Sequence, residues 1–423
     1  SRIMACAGST ANVAIMVEEV EETDTRPAFG KLRVTPVSIT RDGFVWGKAW
    51  EIKAWLSTRV EKDGIPPCTF VAARSLVDPT EVYLCLNTNA ISTRRVFGPP
   101  FRTVHEGFRY QLAELKLGGE GPDAALTQLA SVDVVDPEPL IPTAIMPLSA
   151  DSCVIGTDSS VQLANCANRA HSRLHSFARV EKKCVDLFAF SERSKLLLAF
   201  DDTVWPKFSM VFDCHGDSPK HKLTAEIPET QNERCTAAGL GGADGDILFL
   251  SLRFKSRLGQ GYRLLVLSVT DEELVELGTH RDIQPLLDED DHEIPEEFGP
   301  LWHGLAVTGN SAVVGSQDGV LVWSVSAFEN GEVGAEGELA PVRVEVGGRC
   351  LSLLHVGRPG EVVALVEHFE PVEPEPGAAA SEEPDMQSVK HFVLLDVADP
   401  CKPHIVAKHA VPQDMHSTLS RLI

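Results

Sequence analysis

The sequence predicts an all-β protein built from one repeated unit, a sheet of four antiparallel strands. Along its 423 residues, apolar runs of five to nine residues alternate with short segments of Gly, Asp, Asn, Ser and Pro, which is typical of strands and turns. The i, i+3, i+4, i+7 pattern of amphipathic helices is hard to find in a sustained form. The runs also fall into groups of four, which predicts four strands in each sheet.

The clearest group lies in the stretch LAVTGNSAVVGSQDGVLVWSVSA, residues 305–327. Turns are predicted at Asn310–Ser311 and at Asp318–Gly319, and the last run, VLVWSVSA, is predicted as a strand with no room for a helix. A fourth run, PVRVEVGG, follows after a polar loop. Because one twisted four-stranded sheet leaves an apolar face uncovered, each unit is expected to pack against another.

The same unit recurs along the chain, and we predict seven copies in a single domain that covers residues 1–423. In the second copy, the third strand is either RRVFGPPFR or FRYQLAELKL, and the sequence leaves both open. The predicted units span residues 1–60, 61–140, 141–182, 183–232, 233–285, 300–348 and 349–412.

Cysteine opens the first strand of four units, at Cys68, Cys184, Cys235 and Cys350. A ring of thiols for metal or redox chemistry is one interpretation. Equivalent positions of neighbouring sheets lie far apart, however, and a buried free Cys is usually inert. We therefore interpret these residues as small apolar groups packed at the same layer of each sheet. The chain has ten cysteines and no C-x-x-C pair, so a disulfide framework is not indicated.

Seven four-stranded units of about 50 residues resemble a seven-bladed β-propeller, similar in general design to the WD40-like superfamily. Trp323 lies where the third strand of a WD repeat commonly carries its Trp, although Ser324 replaces the expected Asp. The phrase LLDVADPCKPHIVAKH, residues 394–409, also resembles a phrase of another propeller repeat family. The resemblance implies a closed ring that binds proteins, and it carries over no active-site residue. Closure requires the N-terminal strands, residues 3–20, to lie next to the last unit.

An acidic insertion, predicted as a loop over residues 286–299, separates the fifth and sixth units. It lacks the Gly and the D-x-D-x-D spacing of a calcium loop, which disfavours metal binding. The other two alternatives are a docking strip for a basic partner and a solvated loop. The seven carboxylates proposed for docking are Asp288, Glu289, Asp290, Asp291, Glu293, Glu296 and Glu297.

A second insertion, predicted over residues 370–387, interrupts the seventh unit with the sequence EPVEPEPGAAASEEPDMQ. Its Pro, Ala and Glu content cannot bury apolar surface, so an extended or disordered excursion is expected. It is either a solvated linker or a segment that becomes ordered on a partner. The carboxylates proposed for binding are Glu373, Glu375, Glu382 and Glu383.

Two motifs that suggest chemistry are better explained as turns. The glycine-rich GLGGADGD, residues 239–246, precedes a predicted strand instead of the helix that a phosphate site would use. The stretch GSQDG, residues 315–319, lacks the central Ser of a nucleophile elbow. The sequence thus predicts no cofactor and no catalytic residue.

The composition limits the partners that the chain is expected to bind. The formal net charge is −23, so attraction to nucleic-acid phosphates or anionic lipid would be opposed over most of the surface. The apolar runs are far shorter than the roughly 20 residues that span a bilayer, and no transmembrane segment is predicted. The absence of an N-x-[ST] sequon favours an intracellular compartment without distinguishing cytoplasm, nucleus or organelle.

Two functions follow from these predictions. The first is a noncatalytic protein–protein interaction scaffold or adaptor, a subunit of a larger assembly whose other proteins present basic surfaces. The alternative is a propeller enzyme or small-ligand binder, with a metal-assisted hydrolase or lactonase site in the central channel.

Overall fold

The computed structural model is almost entirely β-strand over the residues that it describes, which confirms the all-β prediction. The helices in this part of the chain are a 3-10 turn, Gly121–Asp123, and one short helix, α1, Val325–Glu329. The described residues are 2–7, 12–21, 29–40, 42–55, 70–74, 80–90, 93–96, 102–105, 108–136, 142–149, 152–157, 160–165, 174–179, 184–190, 195–200, 207–212, 220–226, 233–242, 245–256, 259–270, 274–284, 303–330, 340–355, 358–371, 386–411 and 421–422.

The strands, numbered in chain order, form sheets whose members are consecutive in sequence with few exceptions. The first sheet has the order β32-β1-β2-β3-β4, with β5 also on β3, and its strands are β1 (Arg2–Ala7), β2 (Asn12–Glu21), β3 (Phe29–Thr40), β4 (Gly43–Trp46), β5 (Trp50–Trp55) and β32 (Arg421–Leu422). The second sheet comprises β6 (Phe70–Arg74), β7 (Glu81–Ala90), β10 (Phe108–Gly118) and β11 (Ala125–Asp136). A separate hairpin comprises β8 (Thr93–Val96) and β9 (Arg102–His105).

The remaining sheets are four-stranded, and each follows chain order from its first strand to its fourth. The third sheet comprises β12 (Pro142–Ser149), β13 (Ser152–Thr157), β14 (Ser160–Asn165) and β15 (Leu174–Arg179). The fourth comprises β16 (Cys184–Phe190), β17 (Lys195–Phe200), β18 (Lys207–Phe212) and β19 (Lys220–Glu226). The fifth comprises β20 (Glu233–Gly241), β21 (Ile247–Ser256), β22 (Gly259–Val269) and β23 (Leu274–Gln284). The sixth comprises β24 (His303–Thr308), β25 (Ser311–Ser316), β26 (Gly319–Ser324) and β27 (Val342–Val344). The seventh comprises β28 (Arg349–His355), β29 (Glu361–Pro371), β30 (Met386–Asp396) and β31 (His404–Ala410).

The sheets are arranged in a ring around their first strands. Each first strand contacts the first strand of the next sheet, in the order β1, β6, β12, β16, β20, β24 and β28, and β28 contacts both β1 and β32. Near the other end of the chain, β32 pairs in parallel with β1 through Arg2↔Arg421 and Ile3↔Leu422. The chain ends therefore meet beside the last sheet, as closure of the ring predicts.

Apolar side chains fill the space where the first and last sheets meet. Val37 and Ile39 of β3 pack with Leu365 of β29 and Leu394 of β30, all at most 4% exposed. Phe44 of β4 completes this contact, with its ring centroid 4.6 Å from that of Phe392. Since burial of apolar area is the main favourable term in folding, this seam holds the ring closed.

Alternate residues of the strands form similar cores between consecutive sheets, as the period of two in a strand requires. Trp323, in the third strand of the sixth sheet as the sequence predicted, is 1% exposed and packs with Phe249 and Leu264 of the fifth sheet. Gly239 and Gly241 of β20 let β24 approach closely, because a Cβ at Gly239 would lie 2.6 Å from Cγ2 of Val307. The glycine-rich motif of residues 239–246 thus allows close packing of β20 on β24, in addition to forming the turn that precedes β21.

Five consecutive first strands share an irregularity in their pairing. The register shifts directly after residues Pro142, Cys184, Cys235, His303 and Cys350 in β12, β16, β20, β24 and β28. Three of the predicted cysteine positions are therefore equivalent in the backbone. Cys350 is fully buried, and burial raises the pKa of its thiol to about 12, which keeps it protonated and inert.

The sixth sheet differs from the prediction in its turns and its helix. The turns fall one residue earlier than predicted, at Gly309–Asn310 and Gln317–Asp318. Gly319 is therefore the first residue of β26, and only glycine fits there because the carbonyl oxygen of Val344 occupies the place of a Cβ. The run predicted as one strand ends at Ser324, and α1 follows it. The Asn310 side chain accepts a hydrogen bond from the Ser326 N–H at 2.7 Å, which supports this helical turn.

The first and second sheets contain two further differences. The fourth position of the first sheet is divided into β4 and β5, because the turn between β10 and β11 approaches the chain there and the carbonyl of Ala124 accepts a hydrogen bond from the Lys48 N–H at 2.7 Å. In the second sheet the third strand is β10, from the FRYQLAELKL run. The alternative run contributes most of β8 and the first residue of β9, which pair with each other outside the sheet.

Candidate interaction site

The hairpin formed by β29 and β30 extends beyond the other strands of the seventh sheet. Pairing of β28 with β29 starts at Arg349↔Glu367, whereas β29 and β30 remain paired as far as Pro371↔Met386. We call residues 368–371 and 386–389 the arm. Two pairs of the arm, Glu370↔Gln387 and Pro371↔Met386, lie within the predicted loop 370–387, so the ladder continues further into that segment than the sequence predicted.

Charged side chains lie at the base of the arm, on the face of the sheet that packs against the first sheet. We call Arg349, Glu367, Ser388 and Lys390 the root cluster. Glu367 Oε2 accepts hydrogen bonds from Arg349, with Nε at 2.7 Å, and Oε1 accepts one from the Ser388 hydroxyl. Glu367 and Lys390 are only 7% and 8% exposed. The cluster thus places a satisfied carboxylate between two cations at the edge of an apolar core.

The pKa values of both an acid and a base in the root cluster, Glu367 and Lys390, lie below their ordinary values. Burial raises the pKa of Glu367, but the hydrogen bonds from Ser388 and Arg349 and the charges of Arg349 and Lys390 outweigh it, so the pKa lies below its ordinary value. Burial lowers the pKa of Lys390, with a further lowering from Arg349 that Glu367 opposes. Glu367 is therefore ionised at neutral pH and fixes the orientation of Arg349.

Phe369 lies just beyond the root cluster and projects from the arm. Its side chain is 54% exposed, the largest value among the exposed large apolar side chains that the structure describes. The guanidinium carbon of Arg349 lies 5.8 Å from the centroid of the Phe369 ring, within range of a cation–π contact. One side of the ring is thus supported while much of it faces solvent.

The opposite face of the arm carries His368 and Glu370, and His391 lies on the same face just below the arm. The His368 and His391 rings stack at a centroid separation of 4.8 Å, and His368 Nε2 lies 2.6 Å from Glu370 Oε1. These contacts hold the arm from the side that faces the sixth sheet. Both faces of the arm are therefore ordered by specific side-chain contacts.

The strand directions place the arm on the same face of the ring as the start of β24. We call the face at which β28 begins the upper face and the opposite one the lower face. Since β29 runs antiparallel to β28, it ends on the upper face. β24 runs in the direction of β28, because Gly304 lies against Leu353 while Thr308 accepts a hydrogen bond from the Gly360 N–H, beyond the end of β28. Strand ends that flank both acidic insertions therefore share the upper face.

The carboxylates that the sequence proposed for binding lie outside the described residues, so the structure does not place them. They are Asp288, Glu289, Asp290, Asp291, Glu293, Glu296, Glu297, Glu373, Glu375, Glu382 and Glu383. The described residues contain no group of three or more His, Cys, Asp or Glu side chains arranged to hold a metal ion. Among the same residues, no helix has both the length and the apolar character needed to cross a membrane.

Sequence reasoning missed the root cluster and Phe369, although a signal for them was present. In β29 the residues Val363, Leu365, Glu367 and Phe369 share one face of the strand, and the charge interrupts an apolar series. Lys390 stands in the same relation to Phe392 and Leu394 in β30. Opposite charges at matching positions of two neighbouring strands indicate a buried ion pair.

Comparison with solved structures identifies the architecture. Sqt1 from Chaetomium thermophilum, bound to the N-terminus of the ribosomal protein L10, is similar over 94% of this chain and 84% of that one, with 9% identity and a TM-score of 0.50. A second structure of Sqt1 from the same organism gives a TM-score of 0.50 with 11% identity, over 94% of this chain and 83% of that one. The fold is a β-propeller. This likeness, at such low identity, shows the fold alone.

A further similarity is to the β-propeller domain of Cps50 (Swd1) from Myceliophteria thermophila, with 8% identity and a TM-score of 0.43 over 82% of this chain and 96% of that one. No family model and no curated protein matches the chain.

Proposed function

We propose that this protein is a noncatalytic protein–protein interaction scaffold, a subunit of a larger assembly that binds its partners through the upper face. The observation that carries the proposal is the arm, a paired hairpin that holds an exposed aromatic ring on the upper face. Aromatic residues in ordered surroundings commonly supply most of the affinity of an interface. The similarity to Sqt1, a propeller whose structure contains the N-terminus of a ribosomal protein, supports the proposal by analogy.

We further propose that the seven successive sheets are seven blades with the boundaries predicted from the sequence. In this arrangement the eleven proposed carboxylates of the two insertions steer a basic partner toward the upper face. The formal net charge of −23 favours that class of partner, since opposite charge accelerates encounter and excludes acidic competitors.

Affinity isolation of the tagged chain from its native cell tests the proposed function. The eluate, prepared at low and at moderate salt, is analysed by mass spectrometry and for bound metal. We expect a stoichiometric set of proteins whose recovery falls with salt, because surface charges are screened. The matched control carries Gln in place of Glu373, Glu375, Glu382 and Glu383, and its recovery should depend less on salt. A chain isolated alone with one equivalent of metal would contradict the proposal and favour an enzyme.

A further inference from the structure

The arm has one backbone edge without a neighbouring strand, on the side of the ring axis. β28 is the innermost strand of its sheet and pairs with β29 only up to Glu367, so residues 368–371 extend beyond this pairing, and Gly348, just before β28, lies against Glu367 and His368. On their other side these residues pair with residues 386–389. Within the described part of the chain, no strand pairs with the edge that faces the axis. Such an edge presents backbone C=O groups and, except at Pro371, N–H groups that another strand can use.

Phe369 provides an apolar anchor beside this edge. Its ring is 54% exposed, yet its backbone is paired with Ser388 and one side of the ring lies against Arg349. Arg349 is in turn held by Glu367. A ring that is ordered before binding loses little conformational freedom when a partner covers it. Through Arg349, the root cluster therefore restricts the orientation of the Phe369 ring.

The charge around the arm indicates which strand can bind there. Between Arg358 and Lys390 the sequence contains no Lys or Arg. The acidic residues that begin in the arm and continue into the segment after it are Glu370, Glu373, Glu375, Glu382, Glu383 and Asp385. A second copy of this chain would bring the same charges and a net −23, so self-association through this edge is opposed. A basic strand is favoured at the same position.

We propose that the arm binds an extended basic segment of another protein by strand addition. The backbone of that segment pairs with the axis-facing edge of residues 368–371, an apolar side chain packs on Phe369, and a flanking Lys or Arg pairs with Glu370. The inference rests on the proposed function and names the chemistry of the partner and the surface that receives it.

The test uses the full chain and a short fluorescein-labelled peptide in which Lys alternates with Val around a central Phe. Fluorescence anisotropy measures its affinity for the wild type, for Phe369→Ser and for the matched control Ile405→Ser. Ile405 is 39% exposed and lies near the lower end of β31, so its substitution also removes an exposed apolar group. We expect Phe369→Ser to weaken binding by about tenfold or more and Ile405→Ser to leave it unchanged. Equal affinities of the two variants would overturn the proposal.

Two N-methylated peptides test whether the backbone takes part. One peptide is N-methylated at the residues whose N–H groups face the arm, and the other at the residues whose N–H groups face away from it. Only the first peptide should bind more weakly than the parent, by about tenfold. If both methylated peptides bind like the parent, attraction is through charge alone and strand addition is wrong. Absence of any binding by the wild type would also overturn it. Circular dichroism and melting confirm that both exposed-site variants are folded.

The proposed function and this inference can fail separately. If the wild type and Phe369→Ser isolate the same stoichiometric proteins from cells, the scaffold proposal stands and the arm is not the binding edge. If neither isolates any protein, the scaffold proposal itself fails.

Discussion

The lower and upper halves of the seventh sheet belong to the same two strands but differ in what surrounds them. In the lower half, Val363, Leu365, Phe392 and Leu394 are at most 3% exposed and pack against the first sheet. In the upper half, the same face carries Glu367 and Lys390 and ends in the exposed Phe369. The same face of β29 and β30 thus forms an apolar contact with the first sheet at its lower end and a charged, solvent-facing arm at its upper end.

This difference separates the source of stability from the source of binding. Apolar burial is non-directional and proportional to area, so the lower half holds the ring closed whatever the details of its packing. The root cluster depends on directional hydrogen bonds to one carboxylate, so it fixes the position of a few side chains. Substitutions in the lower half should therefore cost mainly stability, and those in the arm mainly affinity.

The largest effect is expected for Leu365→Ala, because Leu365 is fully buried at the seam. Loss of its side chain and the resulting cavity should reduce the free energy of unfolding by about 2–5 kcal/mol. Urea denaturation measures this, with Phe369→Ala as the matched control, which should stay within about 0.5 kcal/mol of the wild type. Similar losses in both variants would mean that the arm also holds the ring together.

A smaller loss is expected for Glu367→Ala, which leaves Arg349 and Lys390 without their shared carboxylate. The free energy of unfolding should fall by about 1–3 kcal/mol, the cost of leaving buried polar groups unsatisfied. Glu370→Ala is the control, because Glu370 is exposed and its contact with His368 is a surface pair worth at most about 1 kcal/mol. Equal effects in the same denaturation assay would show that the root cluster is no more constrained than the surface.

A smaller effect still is expected from pH. The pKa of Glu367 in the folded state lies below its ordinary value of 4.5, so the unfolded chain takes up a proton at this site more readily than the folded chain. Its contribution is present above the ordinary value and is lost as pH falls through the folded value. Between about pH 5 and about pH 3, the wild type should therefore lose more stability than Glu367→Gln. Parallel stability profiles of the two proteins would contradict the assignment.

The smallest effect is expected from removal of residues 372–385. Pro371 and Met386 are paired in the ladder, so an Asn-Gly turn can join them directly. The melting temperature should change by no more than about 2 °C, since the length of a solvated loop contributes little to stability. A large decrease, measured by scanning calorimetry, would show that the segment packs against the ring.

Much of the fold could be predicted because the apolar pattern of a strand is local. Runs such as EVVALVEHF and VKHFVLLDVA correspond to β29 and β30, and the equivalent cysteines are matched by equivalent register shifts. The differences arise where a distant part of the chain decides the outcome. The carbonyl of Val344 leaves room only for glycine at position 319. The carbonyl of Ala124 binds the Lys48 N–H at the point where the fourth strand of the first sheet is interrupted. No local pattern contains those contacts.

The candidate site was less predictable for the same reason. The insertions could be recognised from composition, because each is a continuous stretch of sequence rich in acidic residues, and the second is also rich in Pro. The root cluster depends on the pairing of Arg349 with Glu367 and of Phe369 with Ser388, which join three strands. Only the register of those strands shows that Arg349, Glu367 and Lys390 form one unit.

The most direct test of binding through the upper face is photo-crosslinking of the intact assembly in cells. A photoreactive Phe analogue replaces either Phe369 on the arm or Ile405 near the lower face, and the crosslinked proteins are identified by mass spectrometry. We expect a stoichiometric partner to be crosslinked from position 369 through a Lys- or Arg-rich segment and not to be crosslinked from position 405. Crosslinking only from position 405, or equally from both, would contradict it.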